Sequence, residues 1–465
     1  MVLPPEFLQS VSSLLSAESD DFVSALSLDP PVSLRLNPYK HKRNPLSVST
    51  AMQDGKVGWS AWAYYLKERP AFTFDPLFHA GYYYVQEASS MFVEHIVRQL
   101  VKSPVRCLDL CASPGGKSIA LRSGLPDGSL LVSNEIVRQR AHILSENLTK
   151  FGHPDVLVCN NSPADFASLP HFFDLIAVDA PCSGEGLFRK TPEAVSEWSA
   201  ANVQMCAERQ RKILSDVWPA LKPGGILIYS TCTYNMLENE AHVRRMLREF
   251  GASSLNIVVE PSWGVSSSFM PEVTACRFFP HKTRGEGFFV SAVQKPGNPI
   301  FSQKNKKKTP PVVNDRSAYD KWLQSSQDFD FVENGNRMVA VSKSMVESML
   351  FLQEKLKTLS FGIEMGERKG RSFIPSQALA LSTRLNRDSF RVCEISYKDA
   401  VAYLQKEALS IDAPKDYVLL TYKHEPLGFV KNIGTRANNL YPQEWRIRSK
   451  NSPEKITDFL TENKP

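Results

Sequence analysis

Two cysteines in this chain sit in polar, turn-forming contexts: Cys182 in VDAPCSGEGLFRK and Cys232 in YSTCTYNMLENE. Each follows a short apolar run that reads as a β-strand, FDLIAVD or GGILIYST, so both thiols are expected at one edge of a sheet. A cysteine taken singly is more often a small buried filler. Two at adjacent strand ends, with Asp179 three residues before Cys182, point instead to covalent catalysis. The chemistry that needs such a set is methylation of carbon 5 of a pyrimidine, an atom too weakly nucleophilic to attack a methyl sulfonium directly. A thiolate adding to carbon 6 converts the ring to an enamine, and a neighbouring acid, the role read for Asp179, protonates or hydrogen-bonds nitrogen 3. A base then removes the carbon 5 proton and the thiol leaves. One cysteine as nucleophile and another assisting release accounts for the pair.

These groups need a scaffold, and residues 105 to 295 predict one. The runs VRCLDLC, SLLVSNE, DVLVCNN, FDLIAVDAP and GGILIYSTC alternate with RQRAHILSENLTKFG and ANVQMCAERQRKILSDVWPALKPGG, which have helical period. That alternation predicts a parallel α/β sheet with right-handed crossovers, and LNIVVE with GFFVSAVQ is expected to close it as a hairpin. The first strand runs into CASPGGKS, so Gly115 and Gly116 fall where backbone must approach a ligand. Nineteen residues after Gly116, Glu135 ends the second strand, where a carboxylate can accept from two ribose hydroxyls. A P-loop needs glycine where this chain has Cys111, and G-x-G-x-x-G is absent. S-adenosylmethionine fits what remains, with its ribose on Glu135 and the backbone of Ala112 to Gly116 around its methionine part.

The segments LDLCASPGGKS, NEIVRQRAHILSENLTKFG, VDAPCSGEGLFRK, LKPGGILIYSTCT and FFPHKTRGEGFFV together resemble the Sun-type RNA cytosine-5 methyltransferases, in family order over about residues 30–295. FRK after PCSGEG, HKTRGEGFF, GRSFIPSQALAL and LGFVKNIGTRANNLYP are similar to the bacterial 16S ribosomal RNA methyltransferases of the RsmF kind. The resemblance implies a Rossmann-like, seven-stranded class I methyltransferase domain with an N-terminal accessory region and a C-terminal α+β PUA-like RNA-binding part. It implies Cys232 as nucleophile, Cys182 as helper in product release, Asp179 against the target base and Lys190 near the RNA or the base. Cys111, Ala112, Ser113, Pro114, Gly115, Gly116, Lys117, Glu135, Arg140, Ser162 and Asp179 would line the S-adenosylmethionine site. One departure concerns the adenine: many relatives place an acidic residue after the third strand, where this chain reads Asn160-Asn161-Ser162 with Asp165 nearby. DNA cytosine-5 methyltransferases use the Pro-Cys cysteine as nucleophile and usually show Pro-Cys-Gln. Pro-Cys-Ser with a second cysteine in STC favours RNA.

The remaining sequence bounds the setting. With 465 residues, 42% hydrophobic and 22% charged, the chain is ordinary globular protein of two or three domains, at roughly 150 residues each. The domains are expected at 1–100 (N-terminal, RNA-contacting), 101–297 (methyltransferase), 298–315 (linker) and 316–465 (RNA-binding). Eight sparse cysteines exclude a disulfide scaffold, and the absence of a long apolar run or leader pattern predicts a cytoplasmic monomer away from membranes. No metal is expected. Residues 1–300 hold 28 basic and 29 acidic side chains, whereas 301–465 hold 27 and 20, so the basic excess lies C-terminal and favours a polyanionic partner, ribosomal RNA. A cytidine in a helix must be flipped out, at a cost of a few kcal/mol, and Lys304, Lys306, Lys307, Lys308 and the Arg446 to Lys450 region could supply offsetting phosphate contacts. Tyr82 to Tyr84 read more readily as core than as a base-stacking surface, and His79 and His281 receive no role. Two rivals remain: a transfer RNA substrate, and a non-catalytic RNA-binding ribosome assembly factor. The intact Cys182, Cys232, Asp179 and Glu135 argue against the second.

Overall fold

The computed structural model describes residues 2–298, 313, 316, 319–370, 372–451, 453 and 459–462. Most of the expected linker at 298–315, with Lys304, Lys306, Lys307 and Lys308, lies outside the described residues. The centre is a mixed sheet with main strands β1 (Arg106–Asp109), β2 (Leu130–Asn134), β3 (Val156–Cys159), β4 (Phe173–Asp179), β5 (Leu221–Thr231), β6 (Cys276–Phe278), β7 (Phe288–Gln294) and β8 (Thr358–Phe361). Their spatial order is β6-β7-β5-β4-β1-β2-β3-β8. The strands from β5 through β3 are parallel, and β7 enters antiparallel between β5 and β6. The seven-stranded Rossmann-like core is therefore present, with β8 added antiparallel to β3 from the C-terminal part. From β1 the chain winds outward to β3, then returns to β4 beside β1. That reversal opens a crevice at the carboxyl ends of β1 and β4.

Strands covered on both faces must be apolar throughout, which is why these runs show little alternation with polar residues. Leu108, Val132, Leu157, Ile176, Leu227 and Tyr229 pack on one face with α4 (Ala200–Val217), α5 (Glu240–Glu249) and α6 (Val346–Lys355). Their neighbours Cys107, Leu131, Val158, Leu175 and Ile228 pack on the other face with α1 (Phe92–Leu100), α2 (Gly116–Gly124) and α3 (Arg138–Phe151).

One expectation is corrected. LNIVVE pairs with β7 only at its start: Ser253–Ser254 lie antiparallel to β7 and Leu255 N donates to Ala292 O at 2.9 Å, after which the strand stops and Cys276–Phe278 takes over as the neighbour of β7. At Val258 a side chain takes the backbone groups that a strand neighbour would need: Gln99 Oε1 accepts from Val258 N at 2.9 Å and Gln99 Nε2 donates to Val258 O at 2.7 Å.

The flanking parts dock on this core through buried polar groups. In the N-terminal part, strands Val32–Leu36, Gln53–Lys56, Ala63–Leu66 and Tyr83–Val85 form an antiparallel sheet, with Tyr82 and Tyr83 buried. Asn37 Nδ2 donates to Gly81 O and to Phe151 O at the end of α3, and Lys40 Nζ donates to Lys150 O. Thr383 N, from the C-terminal part, donates to Gly152 O at the same helix end. These donors satisfy carbonyls that a helix terminus leaves without partners. The C-terminal part carries two four-stranded sheets, 329–375 and 391–439. Among the described residues, no helix is long and apolar enough to cross a membrane.

Glu94 on α1 accepts from Arg35 Nη2 at 2.9 Å, Ser60 Oγ at 3.1 Å and Arg98 Nε at 3.0 Å, with Arg35 fully buried. Glu94→Ala strands that guanidinium, and we expect a loss of about 3–5 kcal/mol. Urea denaturation followed by fluorescence reads it; an unshifted first midpoint contradicts the assignment.

Candidate active site

The site begins where β1 ends. Asp109 is buried under the following loop and accepts from Ser118 Oγ at 2.6 Å; burial pushes its carboxyl up to about 7. The loop from Cys111 to Lys117 turns sharply into α2, with Gly115 in the left-handed region at φ 120°. A side chain there would be strained. A Cβ on Gly116 would lie 3.1 Å from the Tyr84 ring, so the N-terminal part closes directly onto this loop. Burial pushes the Cys111 thiol far up, which leaves it a neutral part of the wall. Arg140 donates to Ser113 O at 3.2 Å, Ser113 Oγ donates to Arg140 O at 3.0 Å, and Asn147 Nδ2 donates to Pro114 O at 2.8 Å. The loop is thus tied to α3 on its outer side.

Glu135 ends β2 almost fully buried. Its Oε1 accepts from Val137 N at 2.9 Å, and its Oε2 lies 3.4 Å from Arg140 Nη2. Ile136 beside it is exposed, an apolar face next to a buried acceptor. Asn160 Nδ2 donates to the carbonyls of Glu135 and Ile136, and the Asn161 side chain grips the backbone of Lys357 from the C-terminal part, its Nδ2 donating to Lys357 O at 3.5 Å and its Oδ1 accepting from Lys357 N at 3.1 Å. Ser162 N donates to Asp165 Oδ2 at 2.8 Å, so Asp165 caps its own turn. The buried carboxylate, the side-chain-free turn and the apolar face fit an adenosyl ligand.

Asp179, at the end of β4, accepts from Lys117 Nζ at 2.8 Å and from Ser230 Oγ at 2.9 Å. Burial opposes the charge on Lys117, but Asp179 outweighs it and holds the ammonium above its ordinary range. Beyond the strand ends, Cys182 Sγ and Cys232 Sγ stand 3.3 Å apart, both half-buried. The bond to Cys232, reinforced by burial, pushes the Cys182 thiol well up, so Cys182 keeps its proton at neutral pH.

Two buried carboxylates position the sulfurs. Glu185 accepts from Thr233 Oγ1, the backbone N–H groups of Tyr234 and Asn235, and Trp198 Nε1, at 2.6–3.1 Å. Glu238 accepts from Ser183 N, Gln210 Nε2 and Asn235 Nδ2 at 2.7–3.0 Å. Gly186 N donates to Cys232 O at 2.8 Å, and a Cβ at Gly186 would lie 2.7 Å from that oxygen. Glycine is what lets the two loops cross.

The structure therefore gathers Cys182, Cys232, Asp179 and Lys117 at one edge, with Glu135, Arg140 and the 111–117 loop alongside. Lys190 is exposed and directed to Glu286, at 3.6 Å; Glu286 is also held by Arg189 Nε at 2.7 Å. Sequence reasoning missed Ser230, Glu185, Glu238, Glu286 and Glu87, whose Oε1 accepts from Glu286 N at 2.9 Å. Glu185 had a signal, a carboxylate between two glycines in PCSGEG. Ser230 could have been found as the register neighbour of Asp179.

Comparison with known proteins gives three family matches: "16S rRNA methyltransferase RsmB/F" over residues 101–294, the "N-terminal domain of 16S rRNA methyltransferase RsmF" over 3–88, and the "Methyltransferase RsmF PUA domain" over 390–447. The chain is 28% identical to ribosomal RNA small subunit methyltransferase F of Serratia proteamaculans, covering 95% of this chain and 96% of that one. It is 31% identical to the protein of that name from Shigella boydii, covering 78% of each. A methyltransferase homolog from Pyrococcus horikoshii shares the fold at TM-score 0.51 and 24% identity, over 63% of this chain and all of that one. NSun6 from Pyrococcus horikoshii does so at TM-score 0.52 and 18% identity, over 63% and 99%. On these matches, and on the arrangement of the strand ends, the chain belongs to the ribosomal RNA small subunit methyltransferase F family.

Proposed function

We propose that this protein methylates carbon 5 of a cytidine in 16S ribosomal RNA through a transient bond between Cys232 and carbon 6 of the base. The observation that carries the reading is the pair of sulfurs 3.3 Å apart next to the Asp179–Lys117 ion pair, at the crevice between β1 and β4. S-adenosylmethionine, when bound, supplies an electrophilic methyl on a sulfonium. Glu135 would hold its ribose, Ile136 would face its adenine, and the loop from Cys111 to Lys117 with Arg140 and Ser162 would enclose the rest.

Cys232 adds to carbon 6 and makes carbon 5 nucleophilic. Asp179, oriented by Ser230, accepts from the exocyclic amine beside nitrogen 3, while the ammonium of Lys117 donates toward nitrogen 3 and offsets negative charge as electron density builds there. After transfer, the carbon 5 proton is removed and the carbon–sulfur bond breaks. Cys182, in contact with the leaving sulfur, assists that release. The crossing loops hold the nucleophile fixed, so little reorganisation is needed at the moment of attack. Lys190, Arg448 and Lys450 are exposed and would contribute phosphate contacts to the RNA, with the basic excess of the C-terminal part in support.

Cys232→Ala should abolish tritiated methyl transfer to unmodified 16S ribosomal RNA, and full activity would reassign the nucleophile. Cys182→Ala should accumulate a covalent protein–RNA adduct on a denaturing gel, whereas free RNA with normal chemistry removes the helper role. In bisulfite sequencing of 16S ribosomal RNA from a deletion strain, at least one protected cytidine should become convertible; an unchanged pattern counts against carbon 5.

A further inference from the structure

We propose that Cys182 and Cys232 form a redox-modification site, which a hydroperoxide closes into a reversible disulfide. The sulfurs are already 3.3 Å apart, against the roughly 2.05 Å of a disulfide, so closure asks for about 1.3 Å of side-chain movement. The backbone is prepared for it. The next residues along each loop also touch, Ser183 Oγ to Thr233 Oγ1 at 3.0 Å, and both loops are pinned by Glu185 and Glu238. Both thiols are half-buried in the crevice, as are Cys111 and Cys393 elsewhere, whereas Cys107, Cys159, Cys206 and Cys276 are buried; what sets the pair apart is the sulfur–sulfur contact.

The chemistry balances with a hydroperoxide as the only co-reactant. The Cys232 thiolate attacks one peroxide oxygen: an S–O bond forms, the O–O bond breaks, and water or an alcohol leaves with one proton. The sulfur, oxidised by two electrons, becomes a sulfenic acid. Cys182 attacks that sulfur; the S–S bond forms, the S–O bond breaks, and the Cys182 proton leaves with the hydroxide as water. An accessible nucleophilic thiol beside a resolving thiol is the arrangement that stops oxidation at the reversible stage. A lone nucleophile would continue to sulfinic acid. The bond depends only on the geometry, while its effect on activity rests on the assignment of Cys232 as nucleophile.

The test treats the full chain with a few equivalents of hydrogen peroxide, blocks free thiols with N-ethylmaleimide and maps peptides without reductant. The expected result is a Cys182–Cys232 cross-linked pair with the intact mass lowered by about 2 Da before blocking. Methyl transfer to 16S ribosomal RNA should fall by about tenfold or more and return with dithiothreitol. In Cys182→Ala the same dose should add about 32 Da at Cys232, irreversibly. Direct conversion of Cys232 to sulfinic acid in the native chain, or cross-links to other cysteines only, overturns the proposal. A Cys182–Cys232 bond in a protein that methylates no RNA upholds the modification site and removes the functional reading instead.

Discussion

The catalytic edge depends on one constraint, the crossing of two loops that leave the neighbouring parallel strands β4 and β5. Glu185 and Glu238 lie inside that crossing with almost no exposure. Burying a carboxylate is costly unless its oxygens find donors. Here the donors are the loops themselves, through the N–H groups of Ser183, Tyr234 and Asn235 and the Thr233 hydroxyl, joined by the Gln210 amide from α4. Displacing either loop would leave a buried charge unpaired, so the crossing is rigid. Gly186 makes the approach sterically possible, and the sulfurs inherit the resulting separation.

The parallel sheet supplies only the floor of the crevice. Its walls come from parts distant in sequence. Tyr84 and Gln86 of the N-terminal part abut Gly116, and Glu87 meets the backbone of Glu286 before β7. Arg189 joins Glu286 to the carbonyls of Gly285 and Ala25, tying the loop after Cys182 to the N-terminal helices. On the opposite side, β8 and Lys357 brace the turn at Asn160 and Asn161. The cofactor side of the crevice is therefore bounded by residues from both flanking parts, which couples their docking to the shape of the site.

Much of this was legible in the sequence, for identifiable reasons. The five parallel strands were plain because burial on both faces enforces apolar runs of strand length. The last pair is legible only in part: the pairing with β7 reaches Leu255 and stops, because LNIVVE is as apolar as a strand yet nothing local reveals that Gln99 claims the backbone of Val258. The 111–117 turn and Glu135 were visible because a glycine-rich turn after a first strand and an acid after the second lie at a fixed spacing. The partner of Lys190 was not, because Glu286 is 96 positions away and arrives on a different loop.

The strand-and-helix alternation, the cofactor turn and the identity of the two thiols are written in the linear order of residues. These are encoded in local periodicity and in motifs read within a few residues. It takes the folded chain to bring the thiols into contact, to hold Asp179 between Lys117 and Ser230, and to pin the loops on buried carboxylates. Cys182 and Cys232 are fifty positions apart, and their separation in space follows from the register of β4 against β5 and from the burial of Glu185 and Glu238. Neither is a property of any segment alone.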